Sequence, residues 1–233
     1  MSKWPKILPP LDPVQKGIND DFMRHWHEIF PERFSFADRW NHHYVMKRTR
    51  PGFRRTLEVG AGLGEHLCFE ELSPDQEQDY VALELRANMA EKIRGRFPRV
   101  EVRVADIQER LDYPDGYFDR IIAVHVLEHL PNLPRAVEEM RRLCSGDGRL
   151  HVVIPCEGSP ATSLARRVSA QRIYEKRYNL PYRLFIEREH INLPWEVKEE
   201  LARHFCTEDL SCYPIPLPVE WCNLFMGITL KPL

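Results

Sequence analysis

The segment Leu57-Glu58-Val59-Gly60-Ala61-Gly62-Leu63-Gly64 limits what this chain can fold into more than any other. Apolar, strand-forming residues run straight into glycines at alternate positions, a pattern that permits a tight turn and lets backbone amides approach a ligand. From residue 54 onward, short apolar runs at 56–59, 80–85, 100–105, 118–126 and 149–154 alternate with helix-like stretches near 64–72, 87–97 and 133–144. Such alternation predicts an α/β fold with a parallel sheet and helices on both faces. Gly146 and Gly148 are expected to end the helix before them in a turn. Beyond Trp195 a helix to about residue 205 and strands near 210–213 and 224–230 complete the sheet.

The flanks do not follow this alternation. Residues 1 to about 18 read as an arm stiffened by Pro5, Pro9, Pro10 and Pro13, after which Asn19 and Asp20 offer helix caps. Phe22, Trp26 and Phe30 then recur at helical spacing, and Phe34, Phe36, Trp40 and Tyr44 follow Pro31, so two short helices are predicted over 20–47. Their aromatic stripe either packs onto the core or lines a pocket. The block 155–194 is too long for an ordinary connection and should carry helices of its own. The chain therefore divides into an N-terminal arm and helical cap (1–50) and a main domain (51–233) in which 155–194 is a lid-like insertion.

With 233 residues and 43% apolar side chains there is material for one sizeable core. The 33 basic and 35 acidic residues nearly cancel, which argues against general nucleic-acid binding. Six cysteines show neither a CxxC pair nor a metal-type ladder, so reduced, mostly buried thiols and no metal site are expected. No run approaches the roughly 18 apolar residues of a membrane span, and a soluble, cytoplasmic protein is expected.

The glycine spacing narrows the ligand. A dinucleotide fingerprint, GxGxxG, would require glycine at 65, where this chain has Glu65. A carboxylate there repels a pyrophosphate. S-Adenosylmethionine (SAM) has no phosphate, and its zwitterionic end can use the loop's backbone groups, with Glu58 influencing the loop or attracting the ammonium. Glu84 lies about 20 residues beyond the loop, where a carboxylate can accept both ribose hydroxyls. At the end of the third strand Asp106 and Ile107 pair a carboxylate with an apolar side chain, suited to an adenine amino group and ring. Singly, Glu58 or Asp106 is equally a cap for a helix or loop; three acids at successive strand ends in register with a glycine loop point to a nucleoside site.

On LEVGAGLGEH, VALEL, VADIQ, FDRIIAVHVLEHLPNLPRAVEEMRRL and GDGRLHVVIP, residues 54–155 resemble the class I SAM-dependent methyltransferases, in particular those of quinone biosynthesis and other small-molecule enzymes. The resemblance implies a Rossmann-like, seven-stranded, mostly parallel sheet with an antiparallel last strand. It also implies that Gly60, Gly62 and Gly64 form the cofactor loop, that Glu84 with its neighbour Leu85 takes the ribose, and that Asp106 and Ile107 take the adenine. Ser145-Gly146-Asp147-Gly148 departs from the family's usual lysine, proline and glycine pattern at that turn.

Methyl transfer from a sulfonium is an in-line displacement, so alignment and exclusion of water come first and a general base is optional. His125 and His129 fall at the end of the fourth strand and in the loop after it, the edge where open α/β sheets bind ligands, and are the catalytic candidates. In the insertion Tyr174 and Tyr178, at four-residue spacing with Tyr182, and His190 are candidates for substrate contact amid an excess of arginine that could meet an anionic acceptor. Tyrosines packed under a solvated helix face, and a structural histidine, explain the same residues. The reading that emerges is SAM-dependent methyl transfer to a small-molecule acceptor, for which the arginines make an anionic one a candidate, giving S-adenosylhomocysteine; the alternatives are a protein or RNA methyltransferase and a non-catalytic SAM binder.

Overall fold

The computed structural model of the protein describes residues 3–33 and 35–233; Phe34 and the side chain of Phe30 lie outside the described residues. Helices α1 (Pro13–Arg33) and α2 (Ser35–Arg48) precede a sheet of β1 (Thr56–Val59), β2 (Tyr80–Glu84), β3 (Glu101–Val104), β4 (Phe118–Val124), β5 (Cys144–Pro155), β6 (Phe205–Tyr213) and β7 (Phe225–Pro232). Between strands run α3 (Pro74–Gln78), α4 (Ala87–Arg96), α5 (Leu133–Leu143), then α6 (Pro160–Val168), α7 (Ala170–Tyr178), α8 (Arg183–Glu189) and α9 (Pro194–Ala202). The strand order is β3-β2-β1-β4-β5-β7-β6, with β7 antiparallel to both its neighbours. Because β1 pairs with β2 on one side and β4 on the other, the chain reverses direction of winding there and opens a crevice at the carboxyl ends of the strands.

Strand alternation gives the sheet two unlike faces. One carries Leu57, Val59, Val81, Leu83, Ile121, Ala123, Leu150 and Val152, and α5 covers it with Leu133, Ala136, Val137, Met140 and Leu143, spaced three and four apart. The other buries Thr56, Glu58, Tyr80, Arg120, His151 and Thr229. Arg120, only 2% exposed, is held there by hydrogen bonds to Glu70 Oε1 (2.8 Å) and Thr56 Oγ1 (3.0 Å). Helix α2 lies on this polar face and packs Tyr44 and Val45 against Ile122 and Val153, so part of the N-terminal aromatic stripe is core.

Three local expectations are corrected. Helix α1 begins at Pro13 rather than near Asn19: Gln15 N–H donates to Asp12 Oδ1 at 2.8 Å and Asp12 N–H to Gln15 Oε1 at 3.4 Å, a capping box around a proline whose missing N–H costs nothing in the first turn. No α-helix follows the glycine loop over 64–72; a single 3₁₀ turn, His66–Cys68, stands there. Glu70 is drawn inward to His66 Nε2 (2.8 Å) and Arg120, and Pro74 then opens α3. Residues 145–148 form no turn before a strand, because β5 already begins at Cys144 and they make an irregularity between the pairs Phe118↔Cys144 and Arg120↔Arg149. A Cβ on Gly148 would lie 2.9 Å from Cys144 Sγ and 3.1 Å from the Asp119 carbonyl, so the kink needs glycine.

Among the described residues no helix is long and apolar enough to cross a membrane. The cysteines are free: Cys144, Cys156 and Cys212 are buried, Cys206 and Cys222 half-buried, and Cys68 exposed.

Candidate functional site

The glycine loop leaves β1 at the crevice with Gly60, Gly62 and Gly64 at φ of +68°, +59° and +80°, a region that side chains rarely adopt. Its shape is fixed from the next strand. Ala61 N–H donates to the Leu83 carbonyl at 3.0 Å, and Gly62 N–H donates to Glu84 Oε2 at 3.0 Å. Glu84, at the last position of β2 and 4% exposed, also accepts from Arg86 N–H at 2.9 Å. Glu65 folds back to accept from Leu63 N–H at 2.7 Å, which sets a carboxylate against the loop where a pyrophosphate would otherwise lie.

Asp106, two residues past β3, accepts from Gln108 N–H at 2.9 Å, while Ile107 is buried in the core and Leu85 turns its side chain outward. Glu58 lies beneath the loop: it accepts from the Tyr80 hydroxyl at 2.8 Å, and burial pushes its carboxyl up to about 8. At neutral pH it is therefore mostly protonated and turned away from any ligand ammonium. Backbone amides, a carboxylate at Glu84 and an apolar neighbour at Ile107, with a carboxylate against the turn, are a donor and acceptor set that fits a phosphate-free nucleoside such as SAM.

The fourth strand ends under strain. His125 has φ +54°, which is uncommon for a residue with a side chain, and swings the chain into a 3₁₀ turn, Leu127–His129. Both of its nitrogens are engaged: Nε2 meets the Asn41 amide at 2.8 Å and Nδ1 meets Glu128 Oε1 at 3.2 Å. Val126 beside it touches the cofactor loop, since a Cβ on Gly60 would lie 2.5 Å from Val126 Cγ2. His129 donates from Nδ1 to the Glu189 carbonyl at 2.6 Å, and burial pushes its imidazole down to about 4, so it is neutral at neutral pH. His190 stands edge-on to His129, ring centres 5.0 Å apart, with Nδ1 2.7 Å from Glu157 Oε2. Buried Asn192 ties the segment down by donating to the carbonyls of Leu127 (2.7 Å) and Leu130 (2.8 Å).

Residues 57–152 match the family model of the methyltransferase domain. The segment 57–152 is therefore a methyltransferase domain, similar to those of SAM-dependent methyltransferases. A probable S-adenosylmethionine-dependent methyltransferase of Mycobacterium tuberculosis is 33% identical over 116 residues, covering 49% of this chain and 41% of that protein. A phosphatidylethanolamine N-methyltransferase of Cereibacter sphaeroides is 34% identical over 101 residues, covering 42% of this chain and 49% of its own length. The matches thus span less than half of these curated relatives. Among solved structures, a Pyrococcus horikoshii protein superposes with a TM-score of 0.65 at 15% identity, over 90% of this chain and 99% of that one. A possible histamine N-methyltransferase of Thermotoga maritima gives 0.64 at 20%, over 92% and 98%. At such identities the structures share the fold.

Around this domain's crevice the fold brings Gly60, Gly62, Gly64 and Glu84 into one contact set, and His125, His129 and His190 into another beside it. Tyr174 and Tyr178 go elsewhere. Tyr174 is 2% exposed among Phe22, Tyr182 and Phe185, and the Tyr178 hydroxyl donates to Asp21 Oδ2 at 2.6 Å, so both join α7 to α1. Asn41, Glu128, Glu157 and Asn192 escaped sequence reasoning. For Glu128 the signal was present, one residue before His129 and three after His125; the other three come from distant elements and left none.

Proposed function

We propose that this protein transfers the methyl group of SAM to a small-molecule acceptor held at the carboxyl edge of β4. The observation that carries this reading is the closure of that edge by the chain's own additions: His125 bonds to Asn41 of α2, and His129 to the backbone of Glu189 at the end of α8. A site walled by helices of the same chain suits an acceptor small enough to be enclosed. Anionic character finds less support. Arg166 is paired with Glu157 and Arg177 with Asp21, so these two guanidinium groups are neutralised within the protein.

The cofactor supplies the electrophilic methyl carbon. The loop amides and Glu84 would hold its ends, Ile107 would pack the adenine, and Asp106 would accept from the ring's amino group. The enclosing helices exclude water and orient the acceptor for in-line attack. Both nitrogens of His125 are hydrogen-bonded within the protein.

Glu84→Ala tests the cofactor half. Two charge-assisted contacts of roughly 1.5 kcal/mol each or more predict that the SAM dissociation constant, measured by calorimetry, rises about 100-fold. An unaltered constant removes Glu84 from the site. Labelled SAM incubated with metabolite, protein and RNA fractions tests the acceptor half, and label confined to protein or RNA would refute a small-molecule acceptor.

A further inference from the structure

We propose that Glu128, His129 and His190 form a binding site for a divalent first-row transition-metal ion at the carboxyl edge of the sheet, next to the cofactor loop. Each residue can offer one ligand atom, and these atoms all lie within 4.8 Å of one another. Neighbouring donors on such an ion, at bonds of about 2.1 Å, stand about 3 Å apart. Small side-chain rotations would therefore close the three onto it. Two imidazoles and one carboxylate are a donor set used by first-row ions that keep further coordination positions open.

Two observations independent of this proximity point to a cation. Glu128 is 1% exposed, yet its Oε2 has no hydrogen-bond partner, an expensive condition for a buried carboxylate. Its other oxygen meets His125 and stands 3.9 Å from His129 Nε2. The outer contacts also have the arrangement that orients metal-bound histidines. His129 Nδ1 faces a backbone carbonyl, Glu189, and must carry its proton there, which leaves Nε2 with a lone pair. His190 Nδ1 lies 2.7 Å from Glu157 Oε2 and 3.0 Å from Arg166 Nη2; with its proton on the shorter contact, to the carboxylate, Nε2 keeps the lone pair that an ion would take. Glu157 is itself fixed by Arg166. Glu128 Oε2 thus stands buried and without a hydrogen-bond partner beside two imidazoles.

What the ion would do rests on the methyl-transfer reading. Val126, between His125 and Leu127, packs over Gly60, so an acceptor hydroxyl on the ion would lie beside the cofactor loop. Coordination lowers the pKa of such a hydroxyl. Its proton passes to solvent, the oxygen lone pair forms the new O–C bond, the S–C bond breaks with its electrons going to sulfur, and the cofactor leaves as a neutral thioether. This accounts for activation of an acceptor although His125 has both nitrogens engaged.

The test is Co²⁺ titration of untagged, chelator-treated protein, followed by visible d–d absorption and by equilibrium dialysis with elemental analysis. The wild type should bind one ion. His129→Ala and His190→Ala should weaken binding at least 100-fold, and Glu157→Gln, which removes the carboxylate that orients His190 and pairs with Arg166, by 10–100-fold, with SAM affinity retained. Failure of the wild type to bind Co²⁺ stoichiometrically, or equal binding by the histidine variants, overturns the proposal. The dialysis result on the wild type decides even if a variant misfolds. Loss of ion binding with intact SAM binding leaves the methyltransferase reading standing, whereas ion binding without SAM binding would sink that reading and spare this one.

Discussion

Replacing Glu58 by glutamine should change how stability depends on pH, in a direction fixed by where the side chain sits. Burial raises the Glu58 carboxyl from its ordinary 4.5 to about 8, against the lowering effect of the Tyr80 hydrogen bond. Between those values the folded protein holds a proton that the unfolded chain has released, so stability is full below about 4.5, falls as pH rises, and is lost above about 8. At about 1.36 kcal/mol per pH unit the gap corresponds to at most about 5 kcal/mol. Glutamine has the shape and neutrality of the protonated acid and can still accept from Tyr80. The variant should match the wild type near pH 5 and exceed it by about 2–5 kcal/mol near pH 9, or about 5–15 °C in melting temperature for a chain of this size. Urea unfolding at pH 5, 7 and 9 measures this. Buried His66 and His151, pushed down to about 4 and about 3, lose stability only as pH falls below their ordinary 6.5 and do so in both proteins, so the difference between the two curves isolates Glu58. Parallel curves, or a wild type that gains on the variant toward pH 9, would refute the argument.

Phe22→Ala removes a ring that is 1% exposed and touches Trp26, Tyr174 and Phe185, with a cost of about 3–5 kcal/mol and faster amide exchange in α7 and α8; unchanged exchange would show that α1 does not hold these helices in place. Gly227→Ala puts a Cβ 2.5 Å from the Tyr44 ring and should destabilise by about 1–3 kcal/mol, a penalty that Tyr44→Ala in the same chain relieves; additive losses in the double variant would count against this contact.

The α/β alternation, the seven strands and the crevice at the end of β1 were legible in the sequence because they follow from local signals: apolar runs of strand length, glycines where the backbone turns back, and helical spacing in α5. Glu84 was legible for the same reason, since strand length and loop length alone carry it to the crevice. Tertiary packing decided the rest. Glu58 reads as a ligand carboxylate until its burial against Tyr80 is known, and the helix anticipated after the glycine loop gives way because Glu70 is drawn inward by Arg120, 50 residues away. Tyr174 and Tyr178 have the spacing of a pocket wall, but Phe22 lies more than a hundred residues earlier, and only the fold turns them toward it. Asn41, Glu128, His129, Glu157, His190 and Asn192 meet at one edge though they come from four separate stretches of chain. The sequence by itself determined the backbone's path, which depends on neighbours a few residues apart; the charge state, burial and company of each functional side chain depend on groups far along the chain, and the tertiary structure alone brought those together.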